Sequence, residues 1–316
     1  MKNYKCNVDS LYEHFSSLLG TNEKIAFEIK RFVNLSSYST FHVGGECPLM
    51  LLPTNSESLT LIISYLNEKH IRYLILGNGS NILFDDEGYD GVIVLLGKSF
   101  GKIELIDEDV IRAYAGAQLV TVCNTALSES LSGLEFAYGI PGTVGGAVFM
   151  NAGAYGGEMK DVVLSVTAID DNGCLHTYKA DELDMGYRHS RFSDSGEVVI
   201  YADFKLYKDE KLDIQNRMND FMTRRKEKQP LSFPSAGSTF KRPEGQFAGK
   251  LIQDCGLRGA SVGGAQVSEK HCGFIINKGG ATSADVKSLI KKVQDTVLSQ
   301  TGFMLECEVR IIPFRE

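Results

Sequence analysis

Apolar positions along the chain recur at two spacings, helical and strand-like, and their order predicts a mixed α+β protein. In 54–70, Leu59, Ile62, Ile63 and Leu66 fall on one helical face behind Thr54 and Glu57, a capping-box pair. The apolar run 71–77 reads as a short strand ending at Gly77, so the turn GNGSN that opens there sits at a strand's carboxyl end, where ligands of α/β folds often bind. Strands are predicted at 92–96, 102–106 and 110–117. A helix follows over 118–131, with Leu119, Cys123, Ala126, Leu127 and Ser130 on one face. The strands 162–170 and 174–179 flank Asp171, Asn172 and Gly173, a hairpin turn, and another strand spans 197–207. A helix over 212–228, with Gln215, Met218, Met222 and Arg225 near one stripe, is ended by the prolines of QPLSFPSAG. The helix 284–299 is capped by Thr282 with Asp285 and is expected to bury Val286, Leu289, Ile290, Val293 and Val297. In the closing strand 305–312, period-two alternation sets Leu305, Cys307, Val309 and Ile311 on one face and Glu306, Glu308 and Arg310 on the other. No βαβ regularity runs through this order, and a domain boundary is expected near Asp209.

Between these elements lies the densest chemical signal. Residues 133–157, GLEFAYGIPGTVGGAVFMNAGAYGG, hold eight glycines in twenty-five positions, with Glu135 the only charged side chain. Glycine at this density marks a main chain that takes positive φ or approaches another group closely. With no Lys or Arg nearby, a diphosphate held here must be met by backbone N–H groups and helix N-termini, which suits a large, flat, partly apolar cofactor. The same composition also suits a set of tight turns without a ligand. The common phosphate loops do not account for it. No GxxxxGK[ST] is present, Gly77 and Gly79 are followed by Ile82 where a GxGxxG needs glycine, and Gly139, Gly142 and Gly145 are spaced three apart.

Composition narrows the class. At 316 residues the chain can build two or three packed units, and no apolar run reaches the roughly 18 residues of a membrane span. The N-terminus MKNYKCNVDSLYEHF lacks the apolar core of a signal peptide, so a cytoplasmic location is expected. A net charge of −7 argues against nucleic acid, and the one basic cluster, TRRKEK at 223–228, suits a small phosphorylated ligand or a solvated helix end. Seven scattered cysteines with no CxxC, and six histidines with no ligand spacing, predict free thiols and no metal.

The segments STFHVGG (39–45), GNGSN (77–81) and GIPGTVGGAVFMNAGA (139–154) resemble the flavin-binding signatures of the vanillyl-alcohol-oxidase-type FAD fold. YRHSRF (187–192), PSAGSTFKRP (234–243) and LECEVR (305–310) are similar, in order and spacing, to the catalytic segments of the UDP-N-acetylenolpyruvoylglucosamine reductase family. The likeness runs from about residue 34 to 312. It fits the branch without an inserted tyrosine-bearing loop, since none precedes Asp209. It implies two α+β FAD-binding subdomains, 1–95 and 96–209, and a C-terminal α+β substrate-binding domain, 210–316. FAD is then expected to be noncovalent, because no His or Cys for a tether lies in 133–157, and NADPH is the expected cosubstrate. The implied reaction passes hydride to the methylene carbon of UDP-N-acetylglucosamine enolpyruvate and a proton to its neighbour, yielding UDP-N-acetylmuramate for peptidoglycan. No metal, nucleic acid or membrane is called for.

The resemblance also names residues. Arg188 corresponds to the arginine that opposes charge on the substrate carboxylate, Ser238 to the proton donor, and Glu308, immediately before Val-Arg, to the catalytic glutamate. Taken singly, the arginine reads as an ion pair, the serine as a turn residue and the glutamate as part of a solvated strand face. The cofactor-binding set implied is Gly77, Asn78, Gly79, Ser80 and Asn81, then Gly139, Pro141, Gly142, Thr143, Val144, Gly145, Gly146 and Ala147, with Asn151, Ala152, Gly153 and Ala154. Tyr187, Arg225, Lys228 and Arg242 are candidates for diphosphate or sugar contacts. Two other readings stand beside this one: an oxidase of the same FAD fold, and a catalytically silent UDP-sugar-binding module.

Overall fold

The computed structural model describes residues 4–315. The chain gathers into two compact units that do not follow chain order. One comprises 1–31, 49–78 and 91–224, the other 32–48, 79–90 and 225–316. The expected division at 95 and 209 therefore differs from the packing. The short segments around Phe41, Val43 and Leu83 leave the N-terminal region and bury their side chains in the same core as Leu289, Ile290 and Val293.

The first unit carries two sheets. Strands Phe27–Asn34, Glu46–Pro53, Val92–Leu95 and Tyr73–Leu76 lie in that order, with Val92–Leu95 parallel to both Glu46–Pro53 and Tyr73–Leu76. Helix Ser56–Glu68 buries Leu59, Ile62, Ile63 and Leu66, as its periodicity predicts. Its cap is Asn55, whose Oδ1 accepts from Ser58 N at 2.9 Å. Thr54, the expected cap, instead donates its hydroxyl to the Ala26 carbonyl at 2.8 Å. The second sheet is antiparallel, with strands Leu175–Lys179, Val163–Ile169, Val198–Lys205, Val110–Tyr114 and Ile103–Asp107 side by side. The turn after Asp170 closes as expected, with Gly173 at φ +82. Helix Lys211–Lys228 buries Ile214 and Met218 rather than the full predicted stripe.

The second unit packs helix Ser283–Thr301 on a small sheet of Ser261–Val262, Ala265–Val267 and Ile275–Asn277. The capping box forms, with Asp285 N on Thr282 Oγ1 and Thr282 N on Asp285 Oδ2, each at 3.0 Å. The five apolar positions expected along this helix are all buried. The closing strand is shorter than its alternation predicts. Only Arg310–Ile312 is regular strand, parallel to Ile82–Phe84. The chain bends at Val309, and the alternation slips by one: Ile311 is 38% exposed and Ile312 is buried.

Candidate active site

In the first unit, the segment GIPGTVGG folds against residues 115–118. Val144 N and Gly145 N donate to the carbonyls of Ala117 and Ala115 at 2.9 Å each, and Leu119 N to that of Gly142 at 3.0 Å. Gly145 is required there, because a Cβ would stand 2.9 Å from that of Ala115. Gly77 packs beside this segment, where a Cβ would run into Thr143 Oγ1, and the adjacent Asn78 donates its amide to the Pro141 carbonyl at 2.7 Å. Two of the predicted cofactor segments thus meet through Gly77, Asn78, Pro141 and Thr143.

Val144 and Gly145 spend their N–H groups inside the fold, so the start of helix Val144–Phe149 is not a free set of donors. What remains is bare main chain. Gly146 is exposed, and a Cβ on it would meet only Thr143 Oγ1, at 3.7 Å. The glycine surface, with no charged side chain in 139–154, fits FAD approached along its backbone.

The approach to this segment is stiffened by ionic contacts. Glu135 is 6% exposed, and its carboxylate accepts from Ser132 Oγ at 2.8 Å, Gly133 N at 2.7 Å and Arg217 Nε at 3.0 Å. Burial pushes its pKa up, but these hydrogen bonds outweigh burial and hold it below the ordinary carboxylate value.

Arg188 sits at the third position of a tight turn. Gly186 N donates to the His189 carbonyl at 3.1 Å and His189 N to that of Gly186 at 3.3 Å, closing a loop whose central residues are Tyr187 and Arg188. Arg188 has φ +56, a value that type II turns ordinarily reserve for glycine at this position. Its guanidinium lies 5.1 Å from the centroid of the half-exposed Tyr187 ring. Asn151, from the glycine-rich segment, is fully buried and donates to the Gly186 carbonyl at 2.8 Å.

In the second unit, backbone pairing brings Ser238 close to Glu308. Glu308 N donates to the Thr239 carbonyl at 2.8 Å, Lys241 N to that of Glu306 at 2.8 Å, and Phe240 bridges Cys307 antiparallel. Thr239 is buried and doubly fixed. Its N–H donates to the Gly273 carbonyl at 2.8 Å, and its hydroxyl oxygen accepts from Ile275 N at 3.0 Å. Burial raises the Cys307 thiol, keeping it neutral next to Glu308, and lowers His271, whose Nδ1 accepts from Gly273 N at 3.1 Å. Asn81, expected among the cofactor contacts, donates Nδ2 to the Glu308 carbonyl at 3.1 Å, and Arg310 N donates to the Asn81 carbonyl at 3.0 Å. Gly79, at φ +59, has no room for a Cβ against the Tyr38 carbonyl, and its own carbonyl accepts from Thr40 N at 3.2 Å. Arg242 lies over the Phe247 ring at 4.6 Å, Arg225 is half-buried and Lys228 exposed at the end of helix Lys211–Lys228.

The sequence motifs pointed to the segments that carry Arg188, Ser238 and Glu308, but not to the residues that hold them. Thr239, Asn81, Asn151 and Ser190 all stand inside those motifs, where their polar side chains were the available signal. Among the described residues, no cluster of His, Cys, Asp and Glu could hold a metal, and no helix is long and apolar enough to cross a membrane.

A glycine-lined main-chain surface in an α+β frame defines a flavoprotein, and residues 48–179 match the family model described as an FAD binding domain. Residues 229–312 match a second, described as UDP-N-acetylenolpyruvoylglucosamine reductase, C-terminal domain. The proteins of that name from Agathobacter rectalis and Clostridium novyi are each 49% identical to this chain, covering 88% and 90% of it and 92% of each relative. A crystal structure of UDP-N-acetylenolpyruvylglucosamine reductase from Thermus caldophilus superposes with a TM-score of 0.79 at 37% identity, covering 91% of this chain and all of that one. The chain belongs to the UDP-N-acetylenolpyruvoylglucosamine reductase family, and it is an FAD-dependent oxidoreductase with the vanillyl-alcohol-oxidase-type fold.

Proposed function

We propose that the chain uses NADPH to reduce UDP-N-acetylglucosamine enolpyruvate to UDP-N-acetylmuramate, a step of peptidoglycan precursor synthesis in the cytoplasm, with Arg188, Ser238 and Glu308 as its catalytic residues. Bound FAD supplies the hydride relay that separates the nucleotide and sugar half-reactions. Arg188 grips the substrate carboxylate with its planar guanidinium and opposes the charge that grows there as the methylene carbon is reduced. Ser238 donates the proton to the neighbouring carbon, and Glu308 orients the reacting group. Tyr187, Arg225, Lys228 and Arg242 serve the sugar nucleotide. The backbone of 77–81 and 139–154 carries FAD without a covalent bond.

The observation that carries this reading is the pairing of the Ser238 segment with the Glu308 segment through Thr239, which a solvated strand face does not require. The test is anaerobic and spectral. NADPH is expected to bleach the yellow protein, and the enolpyruvyl UDP-sugar to restore the colour. A colourless protein supports the silent module instead, and reoxidation by simple alcohols supports the oxidase.

A further inference from the structure

Asn151 stands in the second glycine-rich segment, where a contact with the cofactor is expected, yet its side chain is fully buried and spent on protein. Nδ2 donates to Glu158 Oε2 at 2.7 Å and to the Gly186 carbonyl at 2.8 Å, while Oδ1 accepts from Lys160 N at 2.9 Å. Both donors of the amide are therefore occupied. The residue also takes φ +42, a left-handed conformation that asparagine enters more easily than most side chains. Gly186 opens the turn that carries Arg188. At the far end of that turn Ser190, equally buried, donates Oγ to the Phe149 carbonyl at 2.7 Å. The turn thus hangs from two points on residues 149–151. A left-handed backbone at a bulky residue such as Arg188 persists only where its surroundings over-determine it, and these two hydrogen bonds do so.

We propose that Asn151 is a positioning residue for Arg188 rather than a cofactor ligand: it acts through the Gly186 carbonyl, so that the glycine-rich segment sets where the guanidinium stands. The inference rests on the assignment of Arg188 to the substrate carboxylate. It requires that losing the Asn151 amide harm the sugar half-reaction while sparing FAD binding and reduction by NADPH.

The test uses the holoenzyme and two variants. Asn151→Gly keeps easy access to positive φ and deletes the amide. Asn151→Asp keeps size and the acceptor for Lys160 N but sets an oxygen against Glu158 and the Gly186 carbonyl. Four quantities are followed: FAD affinity, flavin reduction by NADPH, reoxidation by UDP-N-acetylglucosamine enolpyruvate, and amide hydrogen exchange across 184–190. Reoxidation is expected to slow about 10- to 100-fold, the scale of a lost buried hydrogen bond, and exchange across 184–190 to rise. FAD affinity and flavin reduction are expected to stay within about threefold of the unaltered protein. Combined with Arg188→Ala, Asn151→Gly should add no further slowing, because the two act as one unit.

Equal slowing of both half-reactions with weakened FAD would overturn the proposal in favour of a cofactor contact. Unchanged exchange and reoxidation would overturn it outright. Normal reoxidation by Arg188→Ala alone would instead sink the assignment of Arg188, and the proposal with it, whatever the Asn151 variants do. Should Asn151→Gly not accumulate, Ser190→Ala removes the other anchor and is expected to loosen 184–190 in the same way. Normal exchange there would refute the two-point suspension.

Discussion

Arg188 and the Ser238–Glu308 pair are held by opposite means. The turn of Arg188 is two residues long, strained at φ +56, and fixed by side chains: Asn151 on the Gly186 carbonyl and Ser190 on that of Phe149. Ser238 and Glu308 lie on extended segments fixed by main chain, through the carbonyls of Thr239, Gly273 and Glu306. A group whose place depends on side-chain hydrogen bonds is sensitive to single substitutions around it. One whose place depends on backbone pairing tolerates changes in its neighbours' side chains, because the pairing survives them.

The comparison is sharpened first by the reacting groups themselves. Ser238→Ala is expected to bind FAD and bleach with NADPH normally, yet to reoxidise two to four orders of magnitude more slowly, the usual scale for lost general acid catalysis. Stopped-flow measurement of both half-reactions decides it, since normal reoxidation would mean that another group supplies the proton. Arg188→Lys comes next. It keeps the charge and loses the planar two-point grip, so roughly 2 kcal/mol or more of transition-state stabilisation should go. Wild-type kinetics in this variant would remove Arg188 from the mechanism. Thr239→Val deletes the acceptor for Ile275 N and should lower stability by about 1–2 kcal/mol in denaturant titration. Because the main chain of Thr239 still pairs with Glu308, reoxidation of the folded variant should stay within a few-fold of normal. A hundredfold loss would show that side chains hold this region too.

How much of this was legible in the sequence follows from the same contrast. Helices Ser56–Glu68 and Ser283–Thr301 announce themselves because a buried stripe at period 3.6 and a cap are local signals. The choice of Asn55 over Thr54 as cap was not local: the Thr54 hydroxyl is drawn away by the Ala26 carbonyl, twenty-eight residues upstream. The slip at Ile311 and Ile312 was equally unreadable, since it depends on a bend at Val309 and on parallel pairing with Ile82–Phe84. Motif resemblance led to the segments of Arg188, Ser238 and Glu308. It could not separate residues that face a ligand from those, such as Asn81 and Asn151, whose amides are turned onto the backbone of another segment. Nor could it separate Val144 and Gly145, whose N–H groups are consumed by Ala117 and Ala115, from the exposed Gly146 beside them.

The smallest effect gives the finest test of the comparison. Arg188→Gly removes the side chain but suits the backbone, because glycine takes φ +56 without steric cost. Relief of the left-handed strain favours the folded state by about 1–2 kcal/mol. The greater freedom of glycine in the unfolded chain opposes this by about 0.5–1 kcal/mol, and the lost contact with the Tyr187 ring by roughly 0.5 kcal/mol more. These terms nearly cancel, so denaturant midpoints should move by no more than the equivalent of about 1 kcal/mol while reoxidation by the enolpyruvyl sugar collapses. A protein that unfolds readily instead would show that the arginine side chain serves the fold, as an ordinary ion pair would. The strained turn would then be held in place by the guanidinium itself rather than by Asn151 and Ser190.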